Sequence, residues 1–166
     1  MAMVGAKVEG LEAVLGALNL EIRRIKNKTK AGMIKGGFRI LRRAQELTPI
    51  NTGNLRSSGF ITWGRSSGKY AKDYKGPAAE EIKQGVEQTV DEARQIVGDA
   101  NMFKGEPTVM IGFGAFYAIY VHEDLDVEHN VGQAKFLQQA VEDMREAVLN
   151  DIVSEASTGG SPGDMP

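Results

Sequence analysis

The stretch that most constrains this chain is Thr48-Pro-Ile-Asn-Thr-Gly-Asn-Leu-Arg-Ser-Ser58. A long basic segment of helical periodicity has to stop at Leu47, because Pro49 lacks an amide donor and drives Thr48 out of the helical region. Asn51 is a residue type that folds its side chain onto the backbone just ahead, as an Asx-turn or a helix N-cap, and Gly53 admits a positive φ. A strand-like run, Gly59-Phe-Ile-Thr-Trp63, follows directly. The stretch therefore predicts a corner joining a helix to a sheet, through one short helical turn carrying Leu55 and Arg56.

The periodicities around the corner give the fold class. Val4 and Val8 suggest a short opening strand over 3–8. Leu11, Val14, Leu15 and Leu18 recur at helical spacing, and Asn19 either breaks that helix or is absorbed into the next. From Leu20 to Leu47 the apolar stripe is Ile22, Ile25, Met33, Ile34, Phe38, Leu41, Ala44 and Leu47. We read one long helix, in which Gly32, Gly36 and Gly37 each cost roughly 1 kcal/mol relative to Ala. A bend or a close packing contact at Gly36-Gly37 would account for them.

Beyond the corner, Phe60–Trp63 is β-branched and aromatic, as strands are. Gly64 to Pro77 is polar and basic, the composition of an exposed loop. Ile82, Val86, Val90, Ala93 and Val97 form a narrow stripe on a helix over 77–97, with Pro77 in its first turn, Glu80 and Glu81 at its positive end and Gly98 as its stop. So thin a stripe predicts a helix lying on a surface. Thr108–Phe113 is the best strand in the chain and the expected partner of Phe60–Trp63, with Gly112 and Gly114 marking a bulge or sharp exit. Residues 64–106 are then an insertion between paired strands. Ala115–His122 is read as a short helix, 123–132 as an acidic loop, and 133–155 as a helix burying Phe136, Leu137, Ala140, Val141, Met144, Val148, Ile152 and Val153. The expected whole is an α+β domain over 1–156, a small antiparallel sheet against a long N-terminal and a C-terminal helix. A flexible Ser/Gly/Pro-rich tail over 157–166 follows.

Charge is split along the chain. Residues 1–75 carry 15 Lys+Arg against 5 Asp+Glu, and residues 76–166 carry 5 against 17, for a net charge of -2. Such a division suits internal pairing of the halves, a basic face toward nucleic acid, or contact between copies. Arg23, Arg24, Lys35, Arg39, Arg42 and Arg43 are the candidate neighbour- or DNA-facing residues. Phosphate contacts from them would be non-specific and salt-sensitive. The chain has no cysteine, which removes disulfides and thiolate chemistry. No signal pattern and no membrane-length apolar run is evident, so cytoplasmic synthesis is expected.

Catalytic signals are sparse. His122 and His129, with the carboxylates between them, resemble a metal cluster only loosely. A metallohydrolase helix needs two His four apart with Glu as base, and these two are seven apart in an acidic loop. The plainer expectation is that each pairs with a carboxylate or with the other. Gly112-Phe-Gly114 lacks the third glycine of a dinucleotide loop. No nucleophile elbow occurs. No cofactor and no catalytic residue is expected.

The corner, Tyr117-Ala-Ile-Tyr-Val-His-Glu123 and Lys135-Phe-Leu-Gln-Gln-Ala140 together resemble, in order and over most of the chain, the tail-completion or head–tail joining family of long-tailed bacteriophages. That family's pattern is a helix, Thr-Pro-Val-Asp-Thr-Gly-x-Leu-Arg-x-Ser, a strand, a variable region, Tyr-Ala-x-Tyr-Val-Glu and a helix opening on Phe-Leu and Ala. Ile50 and Asn51 replace the common Val and Asp, His122 is inserted before the Glu, and 64–106 is long. The resemblance implies a non-enzymatic virion subunit with helices on one face of a small antiparallel sheet. It implies hexameric or dodecameric rings at the neck, beside portal, connector and tail terminator or tube proteins, with duplex DNA passing and no membrane contact. The motif residues carried over are Pro49, Asn51, Thr52, Gly53, Leu55, Arg56, Tyr117, Tyr120, Glu123, Phe136, Leu137 and Ala140, with Arg56 expected to fix the corner to an acidic group. The alternatives are a metal-dependent hydrolase using His122 and His129, and a DNA-packaging accessory protein using Arg42 and Arg43.

Overall fold

The computed structural model describes residues 11–126 and 130–158. The expected strand over 3–8, His129 and most of the 157–166 tail lie outside them. The first helix, α1 (Leu11–Leu47), runs unbroken through Asn19 and stops where Pro49 requires. Then come α2 (Asn54–Ser57), β1 (Gly59–Gly64), β2 (Ser67–Lys69), α3 (Ala79–Asp99), a π-helical turn (Ala100–Lys104), β3 (Met110–Phe113), α4 (Ala118–Glu123) and α5 (Phe136–Ser157). The class is α+β, with three antiparallel strands in the order β2-β1-β3.

Strand β1 pairs with β3 as expected, with Phe60 opposite Gly112 and Ile61 opposite Ile111. The alternation of β1 sends its side chains to two faces. Ile61 faces α1, where a Cβ on Gly37 would stand 2.7 Å from the Ile61 Cδ1. Phe60 turns the other way, into a core built with Ile82, Val86, Val90, Ala93 and Phe136. The sheet thus has helices on both faces rather than on one. The narrow stripe of α3 explains the difference: all five of its predicted residues are buried, and they are the second layer of the domain. This helix spans a surface only with its polar side.

Two further expectations give way within 64–106. The stretch read as loop contains β2, which pairs with β1 across a bulge between Thr62 and Gly64, and the Thr62 hydroxyl donates to the Ser67 carbonyl at 2.6 Å. Helix α3 does not stop at Gly98. It passes into the π turn and ends at Gly105, whose φ is 62°. The missing Cβ of Gly98 serves packing instead, since the Arg65 side chain lies across that position. Asn101 then ties the two paired strands together, donating to the Trp63 carbonyl at 3.3 Å and accepting from the Thr108 amide at 3.1 Å.

Helix α5 lies antiparallel along the second half of α1. The seam depends on glycine: a Cβ on Gly32 would stand 2.6 Å from the Ile152 Cα, and one on Gly36 would stand 2.7 Å from a Val148 methyl. The backbones approach there more closely than any larger residue permits. Along the edge of the seam, Asp151 is buried and accepts from Arg39 Nε at 2.5 Å, while Lys35 Nζ stands 3.2 Å from it. Arg43 Nε donates to Asp143 at 2.7 Å. Part of the charge asymmetry is therefore satisfied inside the chain, Lys35, Arg39 and Arg43 of basic α1 against acidic α5. Phe136, Ala140 and Asp151 are the buried residues of α5, while Val141 and Val153 are exposed. Its inner face is narrower than periodicity suggests because glycines on α1 draw it in.

Two outcomes test this seam. Gly32→Val should lower unfolding stability by about 1–3 kcal/mol, the usual cost of overpacking, since the clash is with backbone; chemical denaturation measures it. Asp151 is held below its ordinary pKa of 3.8, chiefly by the hydrogen bond from Arg39 and then by that from Lys35. A carboxylate depressed in the native state stabilises above its unfolded pKa and loses that contribution as pH falls through the native one. Asp151→Asn should accordingly be less stable than the parent at neutral pH, with the gap closing in strong acid.

Candidate functional site: the corner and its neighbours

The corner forms as Pro49 dictates, but its internal bonding differs from the sequence reading. Gly53 takes a left-handed φ of 83° and opens α2 with no side-chain cap. Asn51 is exposed and makes no side-chain hydrogen bond among the described residues; the neighbouring Thr52 hydroxyl accepts from the Asn54 amide at 3.4 Å. Arg56 reaches backbone rather than an acidic group, donating to the carbonyls of Glu46 at 3.3 Å and Thr48 at 3.4 Å. These carbonyls belong to the last turn of α1 and its exit, where helical partners run out and a cation offsets the negative dipole end. Thr48, fully buried, turns its own hydroxyl back to the Ala44 carbonyl at 2.7 Å.

The residue that sequence reasoning missed is Asn54. It is buried, and its side chain clips the backbone of Lys75 from both sides, donating to the carbonyl at 2.6 Å and accepting from the amide at 2.9 Å. That clip holds the segment before α3 against the corner. The available signal was an Asn inside a Pro/Gly turn with Thr52 and Asn51 beside it as equally plausible bonding residues. Local spacing cannot show that its partner lies 21 residues on.

The last two motif segments are bonded to each other here, and the residues leading into α5 reach the first. The Gln133 amide donates to the Leu47 carbonyl at 2.9 Å, and the Lys135 amide to the His122 carbonyl at 2.8 Å. A Cβ on Gly132, whose φ is 86°, would stand 2.5 Å from the Pro49 nitrogen, so the start of α5 rests directly on the exit of α1. Between corner, α3 and α4 lies a cavity of about 700 Å³, with Pro49, Asn51, Leu55, Ile82, Tyr117 and Val131 on its walls. Burial pushes the Tyr117 hydroxyl pKa up. Leu55, Phe136 and Ala140 are core residues, Leu137 packs beside that core, and Tyr120 points into solvent.

His122 and Glu123 behave as a surface pair. His122 Nδ1 lies 2.8 Å from Glu123 Oε1, and its ring meets Phe136 edge to face at 4.9 Å. Hydrogen bonds from Lys135 and then from His122 hold the Glu123 carboxyl below its ordinary pKa. No group of three or more His, Asp or Glu placed for a metal ion occurs among the described residues. Of the basic candidates, Lys35, Arg39 and Arg43 are drawn into the α1–α5 seam, Arg24 pairs with Glu21 at 3.6 Å, and Arg42 stands in solvent within 3.8 Å of Glu46. Arg23 is exposed on the first half of α1. No helix among the described residues is long and apolar enough to cross a membrane.

Compared with protein-family models, curated proteins and solved structures, the chain finds no significant match. The class that fold and site define is an α+β domain with a corner where the exit of α1, the segment before α3 and the approach to α5 meet.

Removing the clip tests that construction. Asn54→Ala leaves the Lys75 amide and carbonyl without their partner and should cost about 1–3 kcal/mol. It should also speed tryptic cleavage at Lys72 and Lys75 in the otherwise folded protein.

Proposed function

We propose that this chain is a non-enzymatic structural subunit of a bacteriophage neck, a tail-completion protein that assembles into a ring joining head to tail around the DNA channel. One observation carries the reading. The three segments that resemble the family motifs, 48–58, 117–123 and 135–140, each put a residue into one buried cluster, Leu55, Ala118 and Phe136, and the last two are bonded to each other through the Lys135 amide and the His122 carbonyl. That shared core is the arrangement expected if the three motifs form one architectural unit.

The chemistry of the surface suits such a role. Arg56 Nη2 donates to the end of α1, and Glu123 accepts from Lys135 and pairs with His122. These charged groups brace the corner rather than await a substrate. The ring places portal or connector on one side and tail terminator or tube on the other, and the exposed Arg23 and Arg42 are available to duplex DNA or to those neighbours.

Native mass spectrometry of the purified protein, alone and with portal and tail-tube partners, should give a hexameric or dodecameric species or a complex with one of them. Gly53→Val forces a β-branched residue to a left-handed φ, a strain of at least roughly 1–2 kcal/mol, and should abolish incorporation into particles. A strictly monomeric protein absent from virions, or normal particles carrying Gly53→Val, would overturn the proposal.

A further inference from the structure

Helix α5 ends beside Lys28, whose ammonium donates to the Thr158 carbonyl. Helix α1 continues beyond that point, and every residue from Glu12 to Asn27 is exposed, about 24 Å of helix at 1.5 Å per residue. This arm is not a polar rod. Val14, Leu15, Leu18, Ile22 and Ile25 are exposed on it, Val14 at 65% and Leu18 at 55%. Their position on the helix is informative. Val14 and Leu18 each precede Gly32 and Gly36 by 18 residues, which is about five full turns. The stripe is thus a continuation of the side of α1 that packs on α5, past the place where α5 stops. Among the described residues it is a helix-packing surface without a helix against it.

A second surface has matching properties. Phe113, Ala118, Ile119, His122, Phe136 and Leu137 line a shallow groove of about 260 Å³ between α4 and the start of α5. Ile119 and Tyr120 beside it are 65% and 73% exposed. Glu123 at its edge is paired with Lys135, and the segment that follows α4 adds exposed Asp124 and Asp126, for which no Lys or Arg partner is found among the described residues. The arm carries Arg23, Arg24 and Lys26 beside its apolar stripe. The basic arm and the unpaired Asp124 and Asp126 beside the groove are therefore opposite in charge.

The two surfaces cannot meet within one chain. The groove lies where α5 begins, beside the end of α1 at Leu47, and the arm leaves from Lys28, about 28 Å away along a rigid helix. We infer that the arm of one copy seats in the α4–α5 groove of the next, a head-to-tail contact between identical chains. Because the surfaces differ, the contact is heterologous and propagates until it closes as a ring or runs on as a filament. The inference supplies the subunit contact that the proposed ring requires and rests on that reading only for closure.

The chain has no cysteine, so single-cysteine variants give a clean assay. Leu18→Cys and Ile119→Cys proteins, mixed and oxidised, should form the mixed disulfide dimer. Leu18→Cys self-dimers alone would overturn the inference in favour of arm-to-arm pairing, and no cross-link at all would overturn it outright. Leu18→Glu with Ile22→Glu alters only exposed residues, so circular dichroism should be unchanged. Self-association in sedimentation should weaken at least roughly tenfold, from the loss of two buried aliphatic side chains. An unchanged oligomer overturns the arm contact while leaving the ring reading intact. A specific mixed cross-link in a protein that enters no particle does the reverse. Co-sedimentation with phosphatidylserine vesicles that Leu18→Glu abolishes, without the mixed cross-link, assigns the arm to a lipid surface and overturns the inference.

Discussion

The close approach of α1 and α5 at Gly32 and Gly36 is the constraint on which the rest of this domain depends. At Gly32 backbone meets the backbone of Asp151 and Ile152, and at Gly36 the Val148 side chain fills the space that a side chain would have taken. Gly37, one residue on, does the same for Ile61 of the sheet. A single helix thus carries two shallow notches at different angles, one for a helix and one for a strand. The helical cost of three glycines, roughly 3 kcal/mol in all, is offset by dispersion contacts and apolar burial on both sides. Asp151 then fixes the register of the seam, because a buried carboxylate between Arg39 and Lys35 tolerates no slip by a turn.

That register determines the corner. Setting α5 against α1 brings Gly132 onto Pro49 and the Gln133 amide onto the Leu47 carbonyl. The end of α1, exposed by proline, acquires its missing donors from Arg56 and Gln133, one local and one distant. Asn54 works at the same spot on a third segment, holding Lys75. The corner is a junction of four chain passages, tied by hydrogen bonds to backbone groups, some from side chains and some from other backbone amides.

Element identities were largely legible in the sequence, because they follow from local causes. Pro49 ended α1, the stripe from Ile82 to Val97 marked α3, and Thr108–Phe113 announced its pairing with β1. What escaped was set by distant partners. Gly98 has the composition of a stop, yet Arg65 uses the space and the helix runs on. Ser67–Lys69 has no β propensity and becomes a strand because Ile61, Thr62 and Gly64 offer a free edge. Val141 and Val153 obey the period of α5 but miss its contact face, since glycine on another helix decides how narrow that face is. At the candidate site, Gly53 and Leu55 were readable from turn and stripe chemistry. The roles of Asn54 and Arg56 were not, because a hydrogen-bonding side chain does not disclose which backbone it will meet. The distribution of charge was visible as a ratio along the chain, but its consumption by the α1–α5 seam appears only in three dimensions.

The pairing of Leu47 with Gln133 also bears on the order of folding. Helices α1 and α3 and the β1–β2 hairpin are built from neighbours in sequence and can form early. The junction needs a loop of more than 80 residues to close, and contacts of such separation come late. A nascent chain therefore carries exposed helices and a hairpin well before it carries a finished corner. Any surface built across the corner is therefore complete only in molecules that have finished folding, so the long-range closure acts as a checkpoint on that surface.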